Sequence, residues 1–276
     1  MKISLLFLLI YVSTLNALAA EPAKNANAHN IANVLNARYK DISTKCTDGS
    51  AAFHCNGVLI RVADNLGNTS GERKRNAVSF TYLRTDIGIK RLYSRGPQGL
   101  ILKVGLGSPT VRCAFPTNAA TDTRPDGCGM TSQTEPGLDP NLSRHCDEQG
   151  IDNDVLWLAH FNKVKPRYAY MCALRPTPEQ FASSIKVRKL LPADYQGDWN
   201  EVVISAWRLT DLKNMPIDAL FYNPLEPNGK DGAKRLQQEF YGHTNRLLPI
   251  ARIDLLAEDH NIFSYHQEDQ TTIPMK

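Results

Sequence analysis

His54-Cys55-Asn56-Gly57-Val58-Leu59-Ile60-Arg61-Val62-Ala63-Asp64 is followed, after a polar loop, by Asn76-Ala77-Val78-Ser79-Phe80-Thr81-Tyr82-Leu83-Arg84-Thr85-Asp86. Both ends of this stretch have strand character. Val58, Ile60 and Val62 alternate with Leu59 and Arg61, and Val78, Phe80 and Tyr82 alternate with Ser79 and Thr81. Alternation at period two sends neighbours to opposite faces, so Arg61 leaves by the face opposite Val58, Ile60 and Val62. Ser79 and Thr81 share one face of the second strand. A guanidinium beside two hydroxyls can grip a phosphate or a carboxylate. An ordinary antiparallel pair with one wet face gives the same pattern, with Arg61, Ser79 and Thr81 as its polar half.

Outward from this pair the chain reads as one α+β domain with antiparallel strands and flanking helices. Ala28 to Tyr39 has helical spacing at Ile31, Val34, Leu35 and Tyr39. Asn65 to Arg75 reads as a polar loop. Short strands are expected at Arg91–Ser94, Leu100–Val104 and Val111–Phe115, each bounded by Gly or Pro. Thr117 to Cys146 is loop-like, and Asp154 to Val164 reads as a helix with Trp157 in the core. Tyr168 to Leu174 reads as a strand. Thr177-Pro178-Glu179-Gln180 is a helix start, with Thr at the cap and Pro at the first position. Strands follow at Glu201–Trp207, Ala219–Tyr222 and Leu248–Leu256, with a helix over Asp231–Tyr241. The polar tail after Glu258 is expected to fray.

Residues 1–20 read as a secretory signal peptide. Lys2 precedes an apolar run from Leu5 to Val12, and Ala17-Leu18-Ala19 supplies the small residues of a cleavage site. The expected mature domain, 21–276, is secreted or periplasmic, with no membrane association after signal cleavage. Lys and Arg number 32 against 28 Asp and Glu, a formal charge of +4. Losing Lys2 leaves +3, a small excess spread along the chain that does not argue for nucleic acid or membrane, and no nucleic-acid partner is expected. Six cysteines in an exported chain read as disulfides. The expected pairs are Cys46 with Cys55, Cys113 with Cys172, and Cys128 with Cys146. No Cys-x-x-Cys or His-x-x-x-His suggests a metal, and the Asp residues from Asp122 to Asp154 lack the EF-hand spacing.

Several chemistries lack their motif: no Gly-x-Ser-x-Gly elbow, no Walker loop and no His-Glu-x-x-His occur. Gly105-Leu106-Gly107 is followed by Ser108-Pro109, which is not a dinucleotide fingerprint.

The run Cys55 to Arg61, then Ala77 to Arg84, then Cys113-Ala114-Phe115-Pro116 with Thr121-Asp122-x-Arg124-x-Asp126-Gly127-Cys128-Gly129, resembles the halovibrin family of secreted bacterial proteins. That resemblance implies an NAD glycohydrolase or ADP-ribosyltransferase, with NAD as substrate, no metal, and a host protein as a further acceptor. It also implies antiparallel sheets of ADP-ribosyltransferase type. Toxins of that type hold the NAD phosphates with an Arg on an early strand. They support the site with a Ser-Thr-Ser strand and stabilise the ribosyl cation with a Glu in a Gln-x-Glu triplet. Arg61 resembles the first part, and Ser79-Phe80-Thr81 the second, with Phe where Thr is expected. Gln237-Gln238-Glu239 resembles the third, although in a helix where the toxins place it at a strand or loop. Arg61, Ser79 and Glu239 are therefore the expected catalytic residues, with Thr81 and Gln237 in substrate binding. Glu258 is a rival carboxylate. The competing class is a non-enzymatic secreted host-binding or adhesion protein, marked by an exposed apolar patch.

Overall fold

The computed structural model describes residues 28–90, 97–104, 109–119, 125–129, 145–164, 172–191 and 199–271. The expected signal peptide, the expected Arg91–Ser94 strand and Asp122 fall outside these residues.

Eight strands form one sheet in the order β4-β5-β2-β1-β3-β6-β7-β8. They are β1 (Val58–Val62), β2 (Val78–Leu83), β3 (Gln98–Leu102), β4 (Val111–Phe115), β5 (Glu201–Ile204), β6 (Ile217–Tyr222), β7 (Ile250–Ile253) and β8 (Phe263–Tyr265). Neighbours run antiparallel except β6 and β7, which are parallel. Parallel neighbours need a crossover, and α5 (Gly229–Thr244) supplies it between them. The expected α+β class with an antiparallel sheet and flanking helices is what the chain adopts. The other helices are α1 (Ile31–Lys40), α2 (Ser70–Arg75), α3 (Asp154–Val164) and α4 (Pro178–Leu190).

The apolar alternation explains the centre of the sheet. Val58, Leu59, Ile60, Leu100, Ile101 and Leu102 are all buried, so β1 and β3 are covered on both faces. β3 lies so close to β1 that any side chain at Gly99 would collide with the carbonyl of Arg61 and the ring of Phe221. Only glycine permits that approach. α4 starts as its sequence dictates: the Thr177 hydroxyl accepts from the Gln180 amide and Pro178 holds the first position.

Four expectations are corrected. The loop Asn65–Arg75 contains α2, whose capping box joins Thr69 and Glu72 in both directions. No apolar period marks it, but Thr69-Ser70-Gly71-Glu72 carries the box signature. Of Tyr168–Leu174, the described part makes only isolated bridges, Ala173 with His145 and Leu174 with Ala114. The described part of the tail, through Thr271, packs on the fold: Phe263 is buried in β8, and the Asp269 side chain is only 1% exposed.

The cysteine pairs are also corrected. Cys46–Cys55 forms as expected, but the others are Cys113–Cys128 and Cys146–Cys172. The His145–Ala173 bridge, with the Cys146 amide donating to Ala173, sets Cys146 against Cys172. Their Cα atoms lie 4.9 Å apart, inside the range a disulfide spans. Cys113 then meets Cys128 at 6.0 Å. Trp157 is fully buried, stacked on Phe161, and donates its indole N–H to the Cys172 carbonyl.

Candidate functional site

The register of β1 against β2 decides which polar side chains can meet. Ile60 stands opposite Thr81 and Val58 opposite Leu83. Opposed residues of antiparallel strands share a face. Ser79 and Thr81 therefore lie on the face of Ile60 and Val62, and Arg61 leaves by the other. A guanidinium beside two hydroxyls, one of the two readings of this pattern, does not form. Period two places Arg61, but a register that only pairing defines sets its neighbours.

On its own face Arg61 is 14% exposed and held on two sides. Its Nη2 donates to Glu72 Oε1 at 2.9 Å, and its guanidinium lies over the Trp207 ring, 5.7 Å from the centroid. Its Nη1 is buried without a hydrogen-bond partner among the described residues. Glu239 belongs to the same neighbourhood. Both its oxygens accept from the Leu66 amide at 3.3 Å, and the Leu66 carbonyl accepts from Trp207 Nε1 at 3.1 Å. Leu66 itself is fully buried. Arg61, Trp207 and Glu239 thus fasten the loop between β1 and α2. Gln237 is buried: its Nε2 donates to the Leu248 carbonyl at 2.5 Å and its Oε1 accepts from the Thr271 amide at 2.8 Å. Both ends of that amide tie α5 to the chain on either side of β7 and β8.

The opposite face carries a carboxylate that sequence reasoning missed. Ser79 stands opposite Val203 and Phe80 opposite Val202, so the next step of the register sets Thr81 beside Glu201, the first residue of β5. Asn200 pins that register, since its side chain accepts from the Tyr82 amide and donates to the Tyr82 carbonyl. Glu201 is 7% exposed, stands opposite Phe115 of β4 on its other side, and accepts from the Ala119 amide at 3.2 Å. Buried carboxylates are costly unless hydrogen-bonded or used. Ser79, Thr81 and Glu201 therefore form a polar row on one face. The sequence around Glu201 lacks a Gln-x-Glu triplet, and only the β2–β5 pairing reveals it.

A cleft of about 390 Å³ opens near the far end of the same strands, where β5 ends and β2 begins. Asn76, Thr110, Arg112, His145, Arg175 and Ser205 line it. Arg112 Nη1 donates to the Asn76 carbonyl at 2.8 Å, and Asp126 lies 3.7 Å from Nη2. Arg175 is gripped by Asp147 at 2.5 Å and Glu148 at 2.7 Å. Burial, with Arg175 nearby, holds His145 below the usual imidazole range, and its Nδ1 is buried without a partner among the described residues. The cleft thus offers a partly exposed guanidinium, a neutral imidazole and the Ser205 hydroxyl, which already accepts from the Thr110 amide.

A second cleft, of about 410 Å³, lies at the N-terminal end of α5. Three of its lining residues converge on Asp269, which accepts from Tyr222 at 2.7 Å and Arg252 at 2.7 Å and pairs with Lys230 at 2.8 Å. Burial, then Asp269, pushes the Tyr222 phenol up to about 12. This saturated network anchors the chain after β8. Among the described residues no cluster of three His, Cys, Asp or Glu is gathered for a metal ion. No helix among them is long and apolar enough to cross a membrane. The chain matches no protein-family model, and no curated protein matches it significantly.

Proposed function

We propose that this chain is an exported enzyme that cleaves the nicotinamide–ribose bond of NAD, with water or a protein side chain as acceptor. The sheet would then be a variant of the ADP-ribosyltransferase arrangement. The observation that carries the reading is the register that puts a strand-borne carboxylate, Glu201, beside the Ser79-Phe80-Thr81 strand. In the chemistry implied by the resemblance, the bond from ribose C1′ to nicotinamide breaks and its electron pair leaves with nicotinamide. Positive charge builds on the ribose, and a carboxylate fixed in a site of low polarity stabilises it. Water then adds at C1′ and loses its proton. Glu201 takes the stabilising role, and Ser79 and Thr81 orient the ribose. Arg112, in the cleft at the other end of these strands, is the cation offered to the pyrophosphate. Arg61 and Glu239 act through the fold.

Incubation of the purified protein with NAD, with free nicotinamide as the readout, tests this. Release is expected from the wild type and lost in Glu201→Gln, with thermal unfolding confirming that the variant folds. Release that survives Glu201→Gln and disappears in Glu239→Gln would return the site to the α5 face. No release by the wild type leaves the second reading, a non-enzymatic host-binding protein. Exposed Val155 and Leu156 on α3 and Leu190 on α4 support that one.

A further inference from the structure

We propose that the chain carries a binding strip for a linear sulfated polysaccharide, formed by α2, the 3₁₀ turn Leu209–Asn214 and the C-terminal end of α5. Residues 61–75, 208–214 and 239–246 hold seven Lys and Arg against four carboxylates. This excess of three lies in 30 of 276 residues of a chain whose formal charge is +4. The remaining residues carry a formal charge of +1, so most of the excess falls in these three segments.

The segments touch. Arg73 donates to the Asn68 carbonyl, and Asn68 Oδ1 accepts from the Trp207 amide at 2.7 Å. Gly67 lies beside Leu209, close enough that a Cβ there would meet the leucine side chain at 3.7 Å. Arg246 Nη1 donates to the Lys213 carbonyl at 3.2 Å. Arg73, Lys74, Arg208, Lys213 and Arg246 are all exposed. The facing acids are engaged: Glu72 with Arg61, Asp211 with the Arg208 amide, Glu239 with the Leu66 amide, and Asp64 with Gln98.

The form of the strip selects the partner. None of its exposed cations lines either described cleft, so the charge is spread over a surface and suits a polymer with repeated anions. Trp207 and Phe240 are buried and Tyr241 is half-buried, which leaves bases one partly open tyrosine ring to stack on. Leu209 is the large apolar side chain exposed on these segments, too little for insertion into lipid. Guanidinium and ammonium groups pair with sulfate through charge-assisted hydrogen bonds. Export, expected from the leader, brings the chain to where such polymers occur.

A heparin decasaccharide is the probe, titrated calorimetrically at 0.15 M NaCl and at higher salt. Binding is expected, with log K falling linearly against log salt. The variant Lys74→Ala/Arg208→Ala/Lys213→Ala should bind about tenfold or more weakly. The control Lys40→Ala/Lys103→Ala/Lys186→Ala, which removes equal charge elsewhere, should bind like the wild type. Equal weakening by both variants would reduce the effect to net charge and overturn the strip. Absence of binding, or equally tight binding of an oligothymidylate or of phosphatidylserine vesicles, would overturn the assignment of the partner.

Discussion

Thr81 and Glu201 stand beside each other on adjacent strands and share one face of the sheet, while Arg61, one strand further on, leaves by the other. This relationship divides the polar residues of the central strands into two groups with different tasks. One group contains an acid beside hydroxyls. The other is a cation closed off by an acid and an indole.

Glu201→Gln should lower the turnover number for nicotinamide release by about 100- to 1,000-fold, the effect of removing one preorganised charge from a transition state. Glu239→Gln should leave turnover within about threefold, because its carboxylate holds a backbone amide. Steady-state kinetics on both variants separates the two faces, and an inverted order would refute the division.

Arg61→Ala should destabilise the fold by about 2–4 kcal/mol, because Glu72 loses its partner in a mostly buried setting and Trp207 loses its covering cation. Arg61→Lys should recover only part of this, since an ammonium cannot present the planar fork. Denaturant titration of the Arg61→Ala, Glu72→Ala and double variants measures the coupling. A coupling near zero would mean that the pair contributes nothing.

Asp269→Asn should cost about 3 kcal/mol at neutral pH. Burial alone would raise the Asp269 carboxyl, but hydrogen bonds from Arg252, Lys230 and Tyr222 outweigh it and hold the group well below the usual carboxylate range. A depressed folded value contributes stability that is present above about pH 4, the unfolded value, and is lost as pH falls further. The stability difference between wild type and variant should therefore shrink on acidification from pH 5 towards pH 2. A difference independent of pH would contradict this.

His145→Gln should flatten a second part of the pH profile. Burial, then Arg175, depresses the folded-state value, so the fold favours the neutral imidazole. That contribution is complete above the unfolded value, about 6.5, and falls as pH drops through it. Unfolding measured between pH 7.5 and 5 should show a smaller loss in the variant. An identical slope in both proteins would show that His145 does not titrate with folding.

Asn68 begins the sequon Asn68-Thr69-Ser70 yet is buried, with its Oδ1 holding the Trp207 amide. Folded protein secreted from a glycosylating host should carry no glycan there. Mass spectrometry of the Asn68 peptide decides it. Asn68→Ala should cost about 1–2 kcal/mol by leaving that buried amide unpaired.

The strands around Arg61 and Ser79, the α4 cap and the core position of Trp157 were legible because each is written in residues close together. Period-two alternation, a Thr-Pro start and a helical apolar spacing are local signals. By itself the sequence also determined that Arg61 opposes Val58, Ile60 and Val62, and that Ser79 and Thr81 share a face. It did not determine which of those faces coincide, because one residue of register exchanges them and register is a contact between distant segments. Tertiary structure alone paired Cys113 with Cys128, drew the polar tail into the fold through Asp269, and brought Glu201 to the side of Thr81. Each depends on two pieces of chain meeting in space, 15 residues apart for the cysteines and far more for Asp269 and Glu201, and neither piece carries a local mark of its partner.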